Sequence, residues 1–208
     1  MSPLNLKSLF DRKPEPFKIN YNETKATQAI GRQLVSLLPN QGSQCIVLIC
    51  IGTDRSTGDS LGPLVGTLLS DAPPYDFYVY GTLDDPIHAV NLTEKLAWIR
   101  SHHDNPFIIG IDACLGKLTS VGMIQLGEGP VRPGAGVQKE LPPVGDAHIT
   151  GIVNVSGFME YLVLQNTRLN LVMNMARTIS AGILEASRLY SHRNTIYKKQ
   201  SSDQQIEK

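Results

Sequence analysis

Two aspartates carry the chemistry this sequence can do. Asp59 ends the turn Gly52-Thr-Asp-Arg-Ser-Thr-Gly58, and Asp112 directly follows the apolar run Phe107-Ile-Ile-Gly-Ile111. A second apolar run, Cys45 to Ile51, precedes the turn. Apolar runs without alternation read as strands buried on both faces, as in a parallel sheet. After Asp59 the spacing changes to a helical one, with Leu61, Val65, Leu68 and Leu69 on one face. In open α/β sheets the ligand crevice lies outside the carboxyl ends of the strands. Right-handed crossovers commonly place the first and third strands of such a sheet side by side. Asp59 and Asp112 are therefore expected to face one crevice. Two carboxylates at close range cannot both ionise freely, so they share a proton and titrate as a unit. Such a pair can activate a water for attack on an amide, or coordinate a divalent metal through oxygen. Each residue also has a plainer reading. An Asp before a helix often caps it, a contribution of ~1 kcal/mol, and an Asp closing a strand often satisfies loop N–H groups.

The elements that must position this pair follow from periodicity and turn chemistry. Residues 1–22, with Pro14 and Pro16 among charges, read as an extended arm. Asn22 is the expected cap of a helix over about 23–38 that turns Ala26, Ile30, Leu34, Leu37 and Leu38 inward. Strands are expected over 45–51, 77–80, 107–111, 122–126 and 149–155, and helices over 59–70, 87–102, from Gly157, and over 168–190. This order predicts one three-layer α/β/α domain over 23–190 with a mostly parallel sheet. Residues 191–208 are polar and aperiodic and read as a flexible tail.

Composition narrows the function classes. The chain has 208 residues, enough for one domain with a sizeable core, and a formal net charge of zero. Nothing in that balance points to nucleic acid or to an anionic membrane surface. No apolar run is long enough to span a bilayer and no signal peptide is evident, so a cytoplasmic location is expected. Cys45, Cys50 and Cys114 lie in or beside apolar runs, odd in number and without C-x-x-C spacing, which argues against a disulfide framework or a zinc site. The apolar face of the last helix suits either core or a homo-oligomer contact.

Other residues are candidates for the crevice wall. Gly52, Thr53 and Gly58 belong to the turn before Asp59, and glycines there can bring backbone N–H groups to a ligand. They match neither dinucleotide nor Walker spacing, so no nucleotide cofactor is expected. Thr82 and Asp85 follow the second strand, although Asp-Asp-Pro before a helix is also ordinary capping chemistry. Gly134 and Gly136 lie in a Gly- and Pro-rich segment over 127–136, and long loops in compact domains often carry function. Cys114 and His148 make a nucleophile pair conceivable, though buried cysteine is common. His102 and His103 suit an exposed helix end. Lys139 reads as solvated.

Taken together, these segments resemble a known group of proteins. Gly52–Pro63, Ile108–Cys114, and the stretch from Gly127 through Gly136 to Lys139-Glu-Leu141 resemble the spore germination protease family. Over about 44–185 the chain is more similar still to the short sporulation proteins of the YyaC family. The resemblance implies a phosphorylase/hydrolase-like α/β fold, shared with the hydrogenase maturation proteases. It implies a peptidase with Asp59 and Asp112 as the functional pair and protein or peptide substrates. The substrates it implies are small acid-soluble spore proteins, and the location a forespore or spore core. No resident metal is implied, although Asp59 and Asp112 are the groups that would hold a divalent ion. The chain is shorter than a germination protease, and Cys114 stands where that family has an apolar residue.

Overall fold

A computed structural model describes residues 16–40, 44–134 and 141–206. Its centre is the strand β2 (Ile46–Cys50), in which all five side chains are buried. Neighbours therefore cover it on both faces, as its unbroken apolar composition requires. It pairs in parallel with β3 (Phe77–Tyr80) on one side and with β4 (Phe107–Gly116) on the other. β4 pairs in parallel with β6 (Ala147–Val155). Beyond β6 come β5 (Met123–Glu128) and the edge strand β1 (Phe17–Asn20), both antiparallel to their neighbours. The six-stranded order is β1-β5-β6-β4-β2-β3, a mostly parallel sheet as expected.

Helices cover both faces. On one side α1 (Ala26–Leu37), α2 (Leu61–Asp71) and α5 (Leu169–Ile206) share a core with Leu48, Ile109, Ile111 and Ile149 of the sheet. Ile30 and Leu34, Leu61 and Val65, and Ile179 and Ile183 face inward at spacings of four, which places each pair on one helical stripe. On the other side α3 (Leu92–His102) contributes Leu92, Leu96 and Ile99 to a smaller core with Val47, Ile49 and Ile108. A short helix, α4 (Glu160–Gln165), lies between β6 and α5.

The sheet has a switch point. The chain leaves β2 through α2 toward β3, then crosses back through α3 to β4 and continues outward to β5 and β6. The connections after β2 and β4 thus diverge, and ligands bind where they do. α2 packs against the strand ends without side chains between: a Cβ at Gly62 would collide with the Ile51 carbonyl oxygen, and one at Gly66 with the Gly81 carbonyl oxygen. Gly62→Ala is expected to destabilise the fold by about 1–3 kcal/mol, the usual cost of overpacking, because the obstacle is backbone. Urea denaturation monitored by circular dichroism measures this, and a loss under about 0.5 kcal/mol, the scatter of neutral surface changes, would show that α2 can shift freely.

Several boundaries differ from the sequence reading, each for a local reason. The arm ends in a strand: Phe17 and Ile19 alternate with Lys18 and Asn20, and the segment pairs with Met123–Leu126. Asn22 does not cap α1. Its N–H donates to Asn20 Oδ1 while Glu23 Oε1 accepts from Asn20 N, so this turn uses its polar groups locally and the helix starts at Ala26. α3 starts at Leu92 rather than 87, because Ile87 instead bridges in parallel to Ile51. β4 does not end before Asp112. Its pairing to β6 continues through Asp112↔Thr150 and Cys114↔Ile152 after β2 has ended at Cys50↔Ile111. β6 begins at Ala147, so His148 lies within it. Last, α5 does not stop near 190 but continues to Ile206. No Gly or Pro interrupts 183–206, and Arg193 Nη2 donates to Pro39 O at 2.9 Å, anchoring the helix past Tyr190.

Candidate active site

The turn after β2 is built to present Asp59. Gly52 has φ +146 and a Cβ there would collide with the Asp59 carbonyl oxygen, so only glycine lets the turn fold back on itself. Thr53 N–H donates to Asp59 O at 3.1 Å, closing the turn. Gly58 N–H donates to Leu164 O at 2.9 Å, which ties the turn to α4. The capping alternative for Asp59 does not hold. Ser60 is the residue at the helix start, its hydroxyl donates back to Thr57 O at 2.7 Å, and no side chain caps the α2 N–H groups.

Asp112 enters from the neighbouring strand. It projects from β4 at the first position beyond the end of β2. Its Oδ1 accepts from Ala113 N at 2.8 Å, so it serves no distant loop. Asp59 and Asp112 line one crevice of about 290 Å³ with Gly52, Thr53, Pro133 and Gly134. The rest of the wall is largely apolar, from Ile51, Ala89, Val90, Leu141 and Leu164. A concave, mostly apolar site with few convergent polar groups is the usual form of a ligand pocket.

The two carboxyls sit in different environments. Burial pushes the Asp112 carboxyl up to about 8; the Ala113 N–H opposes this, and the charge of Asp59 adds to it. Burial raises Asp59 too, and the Ser56 hydroxyl beside it pulls the other way. Near neutral pH burial thus favours the protonated form of Asp112. Ser56 is 5% exposed, and its Oγ has no partner of normal hydrogen-bond geometry among the described residues. An unsatisfied buried hydroxyl in the wall leaves hydrogen-bonding capacity for whatever enters.

Some expected wall residues are elsewhere. Thr82 and Asp85 do not line the crevice. Thr82 Oγ1 accepts from Asp85 N at 3.1 Å, and the Asp85 carboxylate pairs with Lys95 at 2.7 Å on an open surface. Gly58 supports the turn from behind rather than forming the wall. Gly136 and Lys139 lie outside the described residues. The cysteine–histidine pair is not assembled. Cys114 is opposite Ile152 and His148 opposite Gly110, four residues apart in register, or about 13 Å along the strands. His148 Nδ1–H donates to Gly129 O at 3.0 Å, and burial pushes the Cys114 thiol up to about 11. The sequence reading missed Arg55, Ser56, His88 and Tyr161, all in the crevice wall.

Among the described residues, no cluster of three or more His, Cys, Asp or Glu could hold a metal ion. No described helix is long and apolar enough to cross a membrane.

The model of a family described as a protein of unknown function, DUF1256, matches residues 18–182. The uncharacterized protein YyaC of Bacillus subtilis (strain 168) is 58% identical over 165 residues, 79% of this chain and 80% of that protein. The crystal structure of a NiFe hydrogenase maturation protease HycI from Thermococcus kodakarensis KOD1 aligns with 74% of this chain and 99% of that one. Its sequence identity is 18% and its TM-score 0.46, a likeness too low to carry an argument about activity. The family match takes in both aspartates and nearly the whole sheet, and with the identity to YyaC it shows that the chain belongs to the DUF1256 family.

Proposed function

We propose that this protein is a peptide-bond hydrolase in which Asp59 and Asp112 act together on one water. The observation that carries the reading is the pair itself: two carboxyls, one from the turn after β2 and one from the adjacent strand β4, line one crevice, and burial favours the protonated form of Asp112. Pairs of titratable groups whose environments hold them in different protonation states mark acid and base roles. Asp59, charged, takes a proton from water as the water oxygen attacks the amide carbonyl carbon. Asp112, protonated, gives its proton to the leaving nitrogen as the C–N bond breaks. A proton passing from Asp59 back to Asp112 restores the starting state. The apolar wall accepts a side chain of a polypeptide, and small acid-soluble spore proteins are the substrates the sequence resemblance implies.

Incubation of the purified protein with a purified small acid-soluble spore protein, followed by mass spectrometry, tests the reading. Discrete fragments are expected. Saturable binding without fragments would instead identify a non-catalytic peptide-binding sporulation factor that uses the same crevice. Cleavage is expected to persist in excess chelator, because the two carboxyls by themselves supply both the base and the acid. Activity lost to chelator and restored by a single divalent ion would reassign the pair to metal-assisted hydrolysis.

A further inference from the structure

One backbone feature organises the crevice. Three successive N–H groups leave the end of β2, and each is taken by a carbonyl beside a different crevice residue. Ile51 N–H donates to Ile111 O at 2.7 Å, next to Asp112. Gly52 N–H donates to Ile87 O at 2.8 Å, next to His88. Thr53 N–H donates to Asp59 O itself at 3.1 Å. A single three-residue segment thus sets the positions of two carboxyls and one imidazole relative to each other. Preorganisation of this kind, on hydrogen-bonded backbone rather than on a free loop, is what a reacting constellation needs.

We infer that His88 is a third catalytic residue, whose Nε2–H donates to the substrate carbonyl oxygen and stabilises the charge that develops there. The inference rests on the peptide-hydrolase reading. Its geometry comes from the loop. His88 N–H donates to Asn91 Oδ1 at 2.8 Å, and Asn91 Nδ2 donates to Pro86 O at 3.0 Å, which fixes the backbone on both sides of the ring. Val90 N–H donates to His88 Nδ1 at 3.3 Å. Nδ1 is then the acceptor nitrogen, and in the neutral ring the proton sits on Nε2. His88 is a lining residue of the same crevice as Asp59 and Asp112. The carboxyl pair accounts for both proton transfers to and from the reacting groups, yet provides no donor for the carbonyl oxygen. His88 Nε2–H supplies it, and such donors matter most in a partly desolvated site.

Two substitutions separate this role from a structural one. His88→Asn keeps a side-chain acceptor near the Nδ1 position and loses the Nε2 donor. His88→Gln places an amide N–H near the Nε2 position. With the small acid-soluble spore protein as substrate, His88→Asn is expected to lower kcat by about 10²-fold, as loss of one oxyanion donor does, with KM changed less than about 3-fold. His88→Gln is expected to stay within about 10-fold of the unsubstituted protein because it retains a donor. Thermal unfolding of both variants is expected at the parent temperature. If the parent cleaves and His88→Asn keeps kcat within about 3-fold, no transition-state interaction was lost and the role of His88 is overturned while the hydrolase reading stands. Equal losses in both variants would also overturn it, by showing that ring shape and not the donor matters. If the parent releases no fragments, the hydrolase reading fails and this inference fails with it.

Discussion

Asp59→Asn and Asp112→Asn are each expected to lower kcat for peptide hydrolysis by at least about 10³-fold, the scale at which a reaction loses an essential base or acid. Asn is close in shape to Asp and keeps an oxygen acceptor. Asp59→Asn removes the group that takes the water's proton. Asp112→Asn removes the proton that the leaving nitrogen needs, while its amide still fits the Ala113 N–H bond seen at 2.8 Å. Because the two act as a unit, the double variant is expected to be little worse than either single one, as in other coupled sites. Fragment release from the spore-protein substrate, followed over time for all four proteins, checks this. Losses that multiply in the double variant would indicate separate roles, and an active single variant would remove that residue from the chemistry. The expected pH profile has the same origin. The acid limb follows the charging of Asp59, raised above its ordinary value by burial, and the alkaline limb follows the loss of the Asp112 proton near about 8.

The parts of this site that were legible in the sequence are those dictated by the sheet. Ile46–Cys50 is apolar at every position because it is covered on both faces, so it could be read as a central strand and the crevice placed at its end. Asp112 was located by the same logic, although its strand proved longer than its apolar run. Parallel pairing to β6 carries β4 on through Asp112 and Cys114, where the sequence no longer alternates or stays apolar. His88 was not legible, because its position depends on contacts far along the chain. Pro86-Ile-His-Ala looks like the start of a helix, and only the bridge between Ile87 and Ile51 turns the segment toward the crevice. Ser56 was hidden similarly: a polar residue in a turn gives no sign that the fold will bury it beside a carboxylate. Thr82 and Asp85 had the opposite fault. Their place after a strand suggested the crevice, but their polar groups satisfy each other and Lys95. Local hydrogen bonding, which the sequence did suggest as capping, decided their role.

Asp112 should also leave a mark on stability, and of the opposite sign to its effect on activity. Its folded carboxyl is raised to about 8, mainly by burial, while in the unfolded chain it returns to its ordinary value of 3.8. Below the unfolded value both states are protonated, and the residue contributes no pH dependence. Between the two values the unfolded chain releases a proton that the native protein keeps, so native stability falls as pH rises, by at most about 1.4 kcal/mol per pH unit. Above the folded value both states are charged and the loss is complete. The crevice is open on one side, and solvent screening reduces the full effect to about 1–3 kcal/mol across the window. Asp112→Asn has no proton to lose. It is therefore expected to match the parent at about pH 3 and to exceed it by about 1–3 kcal/mol at about pH 8.5, a gain of several degrees in Tm. Urea denaturation of both proteins at several pH values measures the gap, and the difference between the two curves cancels the other titrating groups. Parallel curves would mean that Asp112 ionises normally in the native protein, and the assignment of the shared proton would fall with that result. A gap that opens with pH, in a variant that no longer cleaves, would show that the fold retains a destabilising carboxyl at the position where catalysis needs a protonated one.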